Sequence, residues 1–221
     1  MHAIIEIPYM QGIDPIFYVL VLIMSVVAHE VAHGYVADAQ GDPTARHAGR
    51  LTLNPLKHID PIGSVILPLL LTLMSAGFVV GWARPVPYIE SNLRNKRWGS
   101  LFVTASGILV NIGIAVIFGF ALRYAHFLGS AQYSFMAIAA VIVKVNILLA
   151  LFNLIPVPPL DGYKILFGLL PPGPRTADLR AKVEYVALPL LLVFVLFVWP
   201  YVLPLMGTLF TLITGMPMSM Y

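Results

Sequence analysis

The sequence predicts an all-α polytopic membrane protein with about four to six transmembrane helices. Three observations carry that prediction. Hydrophobic residues fill 59% of the 221 positions and charged residues only 10%. Mean hydropathy is +0.88. Several apolar runs approach or exceed the roughly 20 residues that a helix needs to cross a bilayer. No polar stretch is long enough to add a soluble domain, so residues 1–221 read as one membrane-embedded domain lodged in a lipid bilayer. The absence of cysteine excludes disulfides and thiolate metal sites. A net charge of +3 is small, and no nucleic-acid partner is expected. The first fifteen residues lack a basic start and an apolar core, so no cleavable signal peptide is expected.

The first helix begins at Asp14-Pro15, an N-cap followed by proline at the first helical position, and runs through Ala39. At 1.5 Å per residue it is about 37 Å long, enough to span. Near its far end stands His29-Glu30-Val31-Ala32-His33. Positions i and i+4 share one helical face, so both imidazoles can reach one ion about 2 Å from each nitrogen. Glu30 follows the first histidine, suited to act on water rather than on the metal, the division of labour in H-E-x-x-H zinc hydrolases. His29 lies roughly 22 Å along the helix, which puts the motif below the membrane surface. Ionisable groups at that depth are costly and usually functional.

Residues 40–61 form a polar connection broken by Gly41-Asp42-Pro43, in which His58 and Asp60 read as polar residues of a surface turn. The apolar segment 62–80, with Pro68 inside, either crosses the membrane or re-enters it. A surface loop with Trp82, Arg84-Pro85-Val86-Pro87 and a basic cluster follows. The next helix, Gly99 to about Leu122, carries Ser100, Thr104, Gly107 and Asn111 in one stripe. Close packing explains most of that stripe but does not require Asn111. A further helix, 134–155, presents Asn146 and Asn153 on one face, with Lys144 near its middle. Pro156, Pro158 and Pro159 then forbid regular helix, giving a broken helix at 156–162. Irregular backbone at membrane depth survives only against protein or a water-filled cavity. Asp161 is thereby delivered beside the histidines as a third ligand, leaving a fourth position for water; the alternative is a capping aspartate before Gly162. A polar loop at 170–182 leads to a C-terminal membrane segment at 183–203, with Trp199-Pro200-Tyr201 at its interface. The tail from 204 is too interrupted to read as a span.

Topology constrains the ligands. If 62–80 crosses once, His33 and Asp161 fall on opposite faces and cannot share an ion. With re-entry, eleven of the thirteen Lys and Arg lie on one face, leaving only Arg123 and Lys144. The positive-inside rule favours that arrangement, with the site opening toward the cytoplasm.

His29-Glu30-x-x-His33, Gly107-x-x-x-Asn111 and Asn153-x-x-Pro156-x-x-x-x-Asp161-Gly162 together resemble the site-2 protease family of intramembrane zinc metalloproteases. Asn54-Pro55-Leu56-Lys57-His58 and Gly81-Trp82-Ala83-Arg84-Pro85 look like the short prokaryotic branch without a PDZ domain. The resemblance covers roughly residues 16–165. It implies a multi-pass protein of a prokaryotic cell membrane, with one Zn2+ per chain held by His29, His33 and Asp161. Glu30 would then be the catalytic base, and Asn153 and Asn111 would contact the substrate backbone or the developing oxyanion. The implied reaction is hydrolysis of a peptide bond within or near a transmembrane helix of a substrate protein. Two departures stand out: Ile108 where many members have proline, and a 62–80 segment longer than a minimal core. Two other functions fit an intramembrane His and Asp set. One is a metal transporter, which has no need of Glu30. The other is an inactive scaffold that binds membrane helices, for which a complete ligand set is superfluous.

Overall fold

A computed structural model describes residues 15–66, 70, 73–74, 83–124 and 132–220. Among them the chain is helical, and four helices are long and apolar enough to cross a membrane. Helix α1 is Pro15–Ala39, and α2 is the short turn Thr44–His47. Helix α3, Lys96–Arg123, starts where the Asn95 side chain accepts from the Arg97 and Trp98 N–H groups. Helix α4 is Gln132–Asn153.

Three of the spans pack as a set. Gln40 Nε2 donates to Gly99 O, and His33 and His29 pair with Val103 and Asn111, so α3 runs antiparallel to α1. Val21 packs with Val141 and Ser25 meets Asn146, so α4 runs parallel to α1. Lipid tails are as apolar as leucine, so burial of apolar area does not drive this association; van der Waals packing of small residues and interhelical hydrogen bonds do. Ala115, Ala139 and Ala140 at the α3–α4 contact fit that account. Leu109, Ile117 and Phe102 on the outer face of α3 are exposed toward lipid.

The backbone N–H of Arg84 donates to the carbonyl of His58 at 2.8 Å. A single crossing between these residues would separate them by roughly 30 Å. The two residues on either side of the segment therefore lie together, as the re-entrant arrangement requires. The path of 62–80 itself lies largely outside the described residues; its start, Pro61–Ile66, is a π-helical turn whose Ile62 and Gly63 N–H groups are capped by Asp60 Oδ1. His58 is no surface residue: it is 2% exposed, with Nε2 against Thr52 O at 2.9 Å.

The loops on that face are pinned by Asp42, which is fully buried. Its carboxylate accepts from Thr44 N and Oγ1, Ile89 N at 2.6 Å and Asn92 Nδ2 at 3.0 Å. Burial alone would raise this carboxyl, but the hydrogen bonds from Thr44, Asn92 and Ile89 hold it below the ordinary value. A lowered folded pKa contributes stability above the unfolded value, near 4, and loses it as pH falls through the folded pKa. Asp42→Ala is expected to cost about 1–3 kcal/mol at neutral pH, through the buried donors it orphans. The thermal-stability gap between variant and parent should narrow below about pH 4. A gap unchanged at pH 2 would mean that the charge of Asp42 plays no part.

The C-terminal region differs from expectation. The stretch read as a loop at 170–182 contains helix α6, Pro174–Tyr185, which follows α5, Asp161–Leu169. The last helical stretch long and apolar enough to cross is Ala187–Thr214, overlapping the expected 183–203 and extending beyond it. It joins α7 (Ala187–Val193) through a π-helical turn (Phe194–Val198) to α8 (Trp199–Thr214). The wide turn absorbs the clash of the Pro200 ring with the preceding carbonyls, so the prolines do not end the span. Trp199 is buried against Phe152, with ring centroids 5.6 Å apart at 83°, so it packs inside the fold; Tyr201 is 82% exposed. Lys144 does not snorkel: it is buried, with Nζ 5.9 Å from the Phe210 ring centroid, bridging α4 to α8.

Candidate metal centre

Helix α1 carries Ser25, His29 and His33 at successive i+4 steps, so all three line the face buried against α3 and α4. The rings can lie flat against α3 because residue 107 is glycine. A Cβ there would sit 2.6 Å from Cε1 of both His29 and His33.

Each ring is oriented through Nδ1. His33 Nδ1 is 2.7 Å from the carbonyl oxygen of Val103, which only accepts, so Nδ1 carries the proton. His29 Nδ1 is 2.6 Å from Asn111 Oδ1. The Asn111 amide is fixed by its other end, since Nδ2 donates to Asn146 Oδ1 at 2.8 Å and to Ser25 O. Asn146 in turn donates to Ser25 Oγ and Ile142 O. The network therefore puts the His29 proton on Nδ1 as well, and Asn111 uses both ends of its amide inside the bundle.

Both Nε2 atoms consequently present lone pairs, and they point at each other across 3.2 Å. Asp161 Oδ2 joins them, 3.0 Å from His29 Nε2 and 3.1 Å from His33 Nε2. All three residues are buried, and among the described residues they form the one His/Cys/Asp/Glu group suited to a metal ion. Three lone-pair donors converging at this distance repel one another unless a cation sits among them. Donors about 2 Å from a tetrahedral ion lie roughly 3.3 Å apart, so the spacing fits zinc with one position left open.

Asp161 reaches the site because the chain breaks between α4 and α5. Leu160, not Asp161, is the N-cap of α5, and the Asp161 oxygens face the two histidines and Lys164. The break covers 154–160 rather than 156–162, with Asp161 already helical. Gly162 permits the fold-back, since a Cβ there would lie 2.2 Å from Leu154 O. Helix α5 is held from both ends. Tyr163 donates to Glu184 Oε1 at 3.0 Å, with burial first and this carboxylate second raising its phenol to about 12. Arg97 donates to the last carbonyls of the helix, those of Gly168 and Leu169.

Glu30 is not among the converging donors. Its Oε2 accepts from the backbone N–H of Val86 at 2.9 Å. The Arg84–Pro87 stretch, expected to be plain surface loop, thus reaches down to the motif, with Val86 buried. Asn153 is half-buried at the end of α4 and donates to Leu149 O, one turn back. Sequence reading missed three participants. Ser25 had a signal in its i−4 spacing from His29, whereas Val103 O and Val86 N–H are backbone groups and leave none.

Fold and site together describe a membrane-spanning helical protein with a buried, metal-suited His-His-Asp group. Peptidase family M50 matches residues 124–198, a stretch that includes Asn153 and Asp161. The chain is 38% identical over 192 residues to "Putative zinc metalloprotease YwhC" of Bacillus subtilis (strain 168), covering 85% of this chain and 84% of the relative. It is 31% identical over 177 residues to "Putative zinc metalloprotease Rip2" of Mycolicibacterium smegmatis, covering 77% of this chain and 66% of the relative. No solved structure matches it. The chain belongs to peptidase family M50, the site-2 protease family of metalloproteases.

Proposed function

We propose that the chain is a single-domain intramembrane endopeptidase that uses one zinc ion to hydrolyse a peptide bond within or near a transmembrane helix of a substrate protein. The observation that carries this reading is the convergence of the His29, His33 and Asp161 donors inside a bundle of membrane-spanning helices. These three residues would hold the ion. When bound, zinc supplies Lewis acidity, activating water and polarising the scissile carbonyl. Glu30, beside the donors yet outside their set, takes the proton from water and passes it to the leaving amine. The Val86 N–H holds the Glu30 carboxylate while it waits. Asn111 orients His29 through Nδ1 and raises its basicity as a donor.

A substrate helix must unwind before attack, because its hydrogen bonds hide the carbonyl. Asn153, at the end of α4 with its Oδ1 free of hydrogen bonds among the described residues, meets the freed substrate backbone. The ends of α1 and α4, the loops at 40–61 and 83–95, and α5 and α6 share the face that bears eleven of the thirteen cations. That distribution supports a site opening toward the cytoplasm. Bacterial relatives support a prokaryotic cell membrane.

The test is a purified, full-length protein assayed for zinc and for cleavage of a model transmembrane peptide. Stoichiometric zinc and chelator-sensitive cleavage are expected. Asn153→Ala should keep zinc and thermal stability while the rate falls about 100- to 1000-fold, the cost of one transition-state hydrogen bond. A protein with no bound zinc after metal loading, or cleavage indifferent to chelation, would sink the proposal. Near-normal cleavage by Asn153→Ala would remove only that residue's role.

A further inference from the structure

Lys164 lies one turn past Asp161 on α5 and has no part in the hydrolytic reading above. Its Nζ is 3.8 Å from Asp161 Oδ1, whereas both imidazole Nε2 atoms lie against Oδ2. The two oxygens of this carboxylate therefore face different partners. The same ammonium stands 5.9 Å from the Tyr88 ring centroid, within the range of a cation–π contact. Tyr88 sits between Val86, whose N–H holds Glu30, and Ile89, whose N–H is pinned to Asp42. Lys164 thus touches both arms of the site, the helix that brings the third donor and the segment that holds the base.

We infer that Lys164 is a positioning residue of the metal centre. It engages Asp161 Oδ1 so that the carboxylate offers only Oδ2 to the ion, and it ties the 84–89 segment to α5 through the Tyr88 ring. The inference rests on the reading of Asp161 as the third ligand. A carboxylate with both oxygens free can ligate through one or two, and the second oxygen would fill the position that water needs. Groups that hydrogen-bond or pair with a ligand from behind typically change metal affinity or activity 10- to 100-fold. The Lys164 side chain is 40% exposed, so as a plain ion pair it adds little to global stability. Its effect belongs to the geometry of the centre.

Co2+ loaded into the purified full-length protein reports that geometry, because its visible bands weaken when coordination expands beyond four. Lys164→Met is expected to bind Co2+ about 10- to 100-fold more weakly. It should also show weakened, shifted bands and a lower kcat on a model transmembrane peptide with KM little changed. Lys164→Arg should restore affinity and bands. If the Met variant does not fold, Lys164→Gln carries the same readings. Parental Co2+ affinity together with parental bands in the charge-free variant would overturn the inference, whatever its kcat. Asp161→Ala separates the two levels. If it too keeps parental Co2+ affinity, the ligand reading itself fails; if it loses Co2+ while Lys164→Met is unaltered, only the role of Lys164 falls.

Discussion

Glu30→Gln is expected to keep the full metal content of the parent and to lower cleavage of a transmembrane peptide by about 10²- to 10⁴-fold. That range corresponds to about 2.7–5.4 kcal/mol in the barrier. The amide is nearly isosteric and its oxygen can still accept from the Val86 N–H, so the 84–87 segment should stay where it is. What the variant loses is a group that can take a proton. The three converging donors do not include Glu30, so metal binding has no reason to change. The measurement is zinc content by elemental analysis beside the rate on one peptide. Unimpaired hydrolysis would put the base elsewhere, and loss of zinc would make Glu30 part of the metal's support. A transporter, by contrast, would keep its flux without this carboxylate.

Gly107→Ala is expected to lower zinc affinity about 10- to 100-fold although it alters neither a ligand nor a hydrogen-bonding side chain. The added methyl would lie 2.6 Å from carbon atoms of both imidazole rings, well inside contact distance. The rings cannot retreat without giving up the Nδ1 bonds to Asn111 and Val103, and losing such support behind metal ligands typically costs about 10- to 100-fold in affinity. Helix propensity would favour alanine by about 1 kcal/mol, so α3 itself should not suffer. Zinc titration with thermal unfolding checks this: weakened binding with intact unfolding is the expected pair. Parental affinity would mean that α1 and α3 separate easily, and that the centre is softer than its hydrogen bonds imply.

The parts of this protein that sequence made legible are those governed by local periodicity. Two histidines four apart on a helix must share a face, and three prolines in four positions must break one, so His29, His33 and Asp161 could be named before their meeting was known. Parity of crossings and the positions of eleven cations argued for re-entry, and the His58–Arg84 hydrogen bond agrees. What stayed hidden depends on register between distant segments. Asn146 reaches Ser25 and Asn111 only once three helices are assembled. Val86 acts through its N–H and would look the same as many other residues. The last helix continues beyond 203 because a π-helical turn ahead of Pro200 lets the chain stay helical there, a local backbone adjustment that residue type does not announce. Residue type alone puts Trp199 at the interface, but its packing on Phe152 is a tertiary fact.

The hydrogen bond between His58 and Arg84 also makes the chain between them an inset with a single doorway. Whatever enters at 59 and departs at 83 does so without altering the distance between the histidine helix and the helix that follows. Closing a flexible loop costs only about 0.6 kcal/mol more for each doubling of its length. Insertions or deletions within that inset are therefore nearly neutral to the spacing of the metal donors, while the same change between Asn153 and Asp161 would pull the third donor out of reach. The number of residues between the two anchors can change and leave the chemistry at the centre alone.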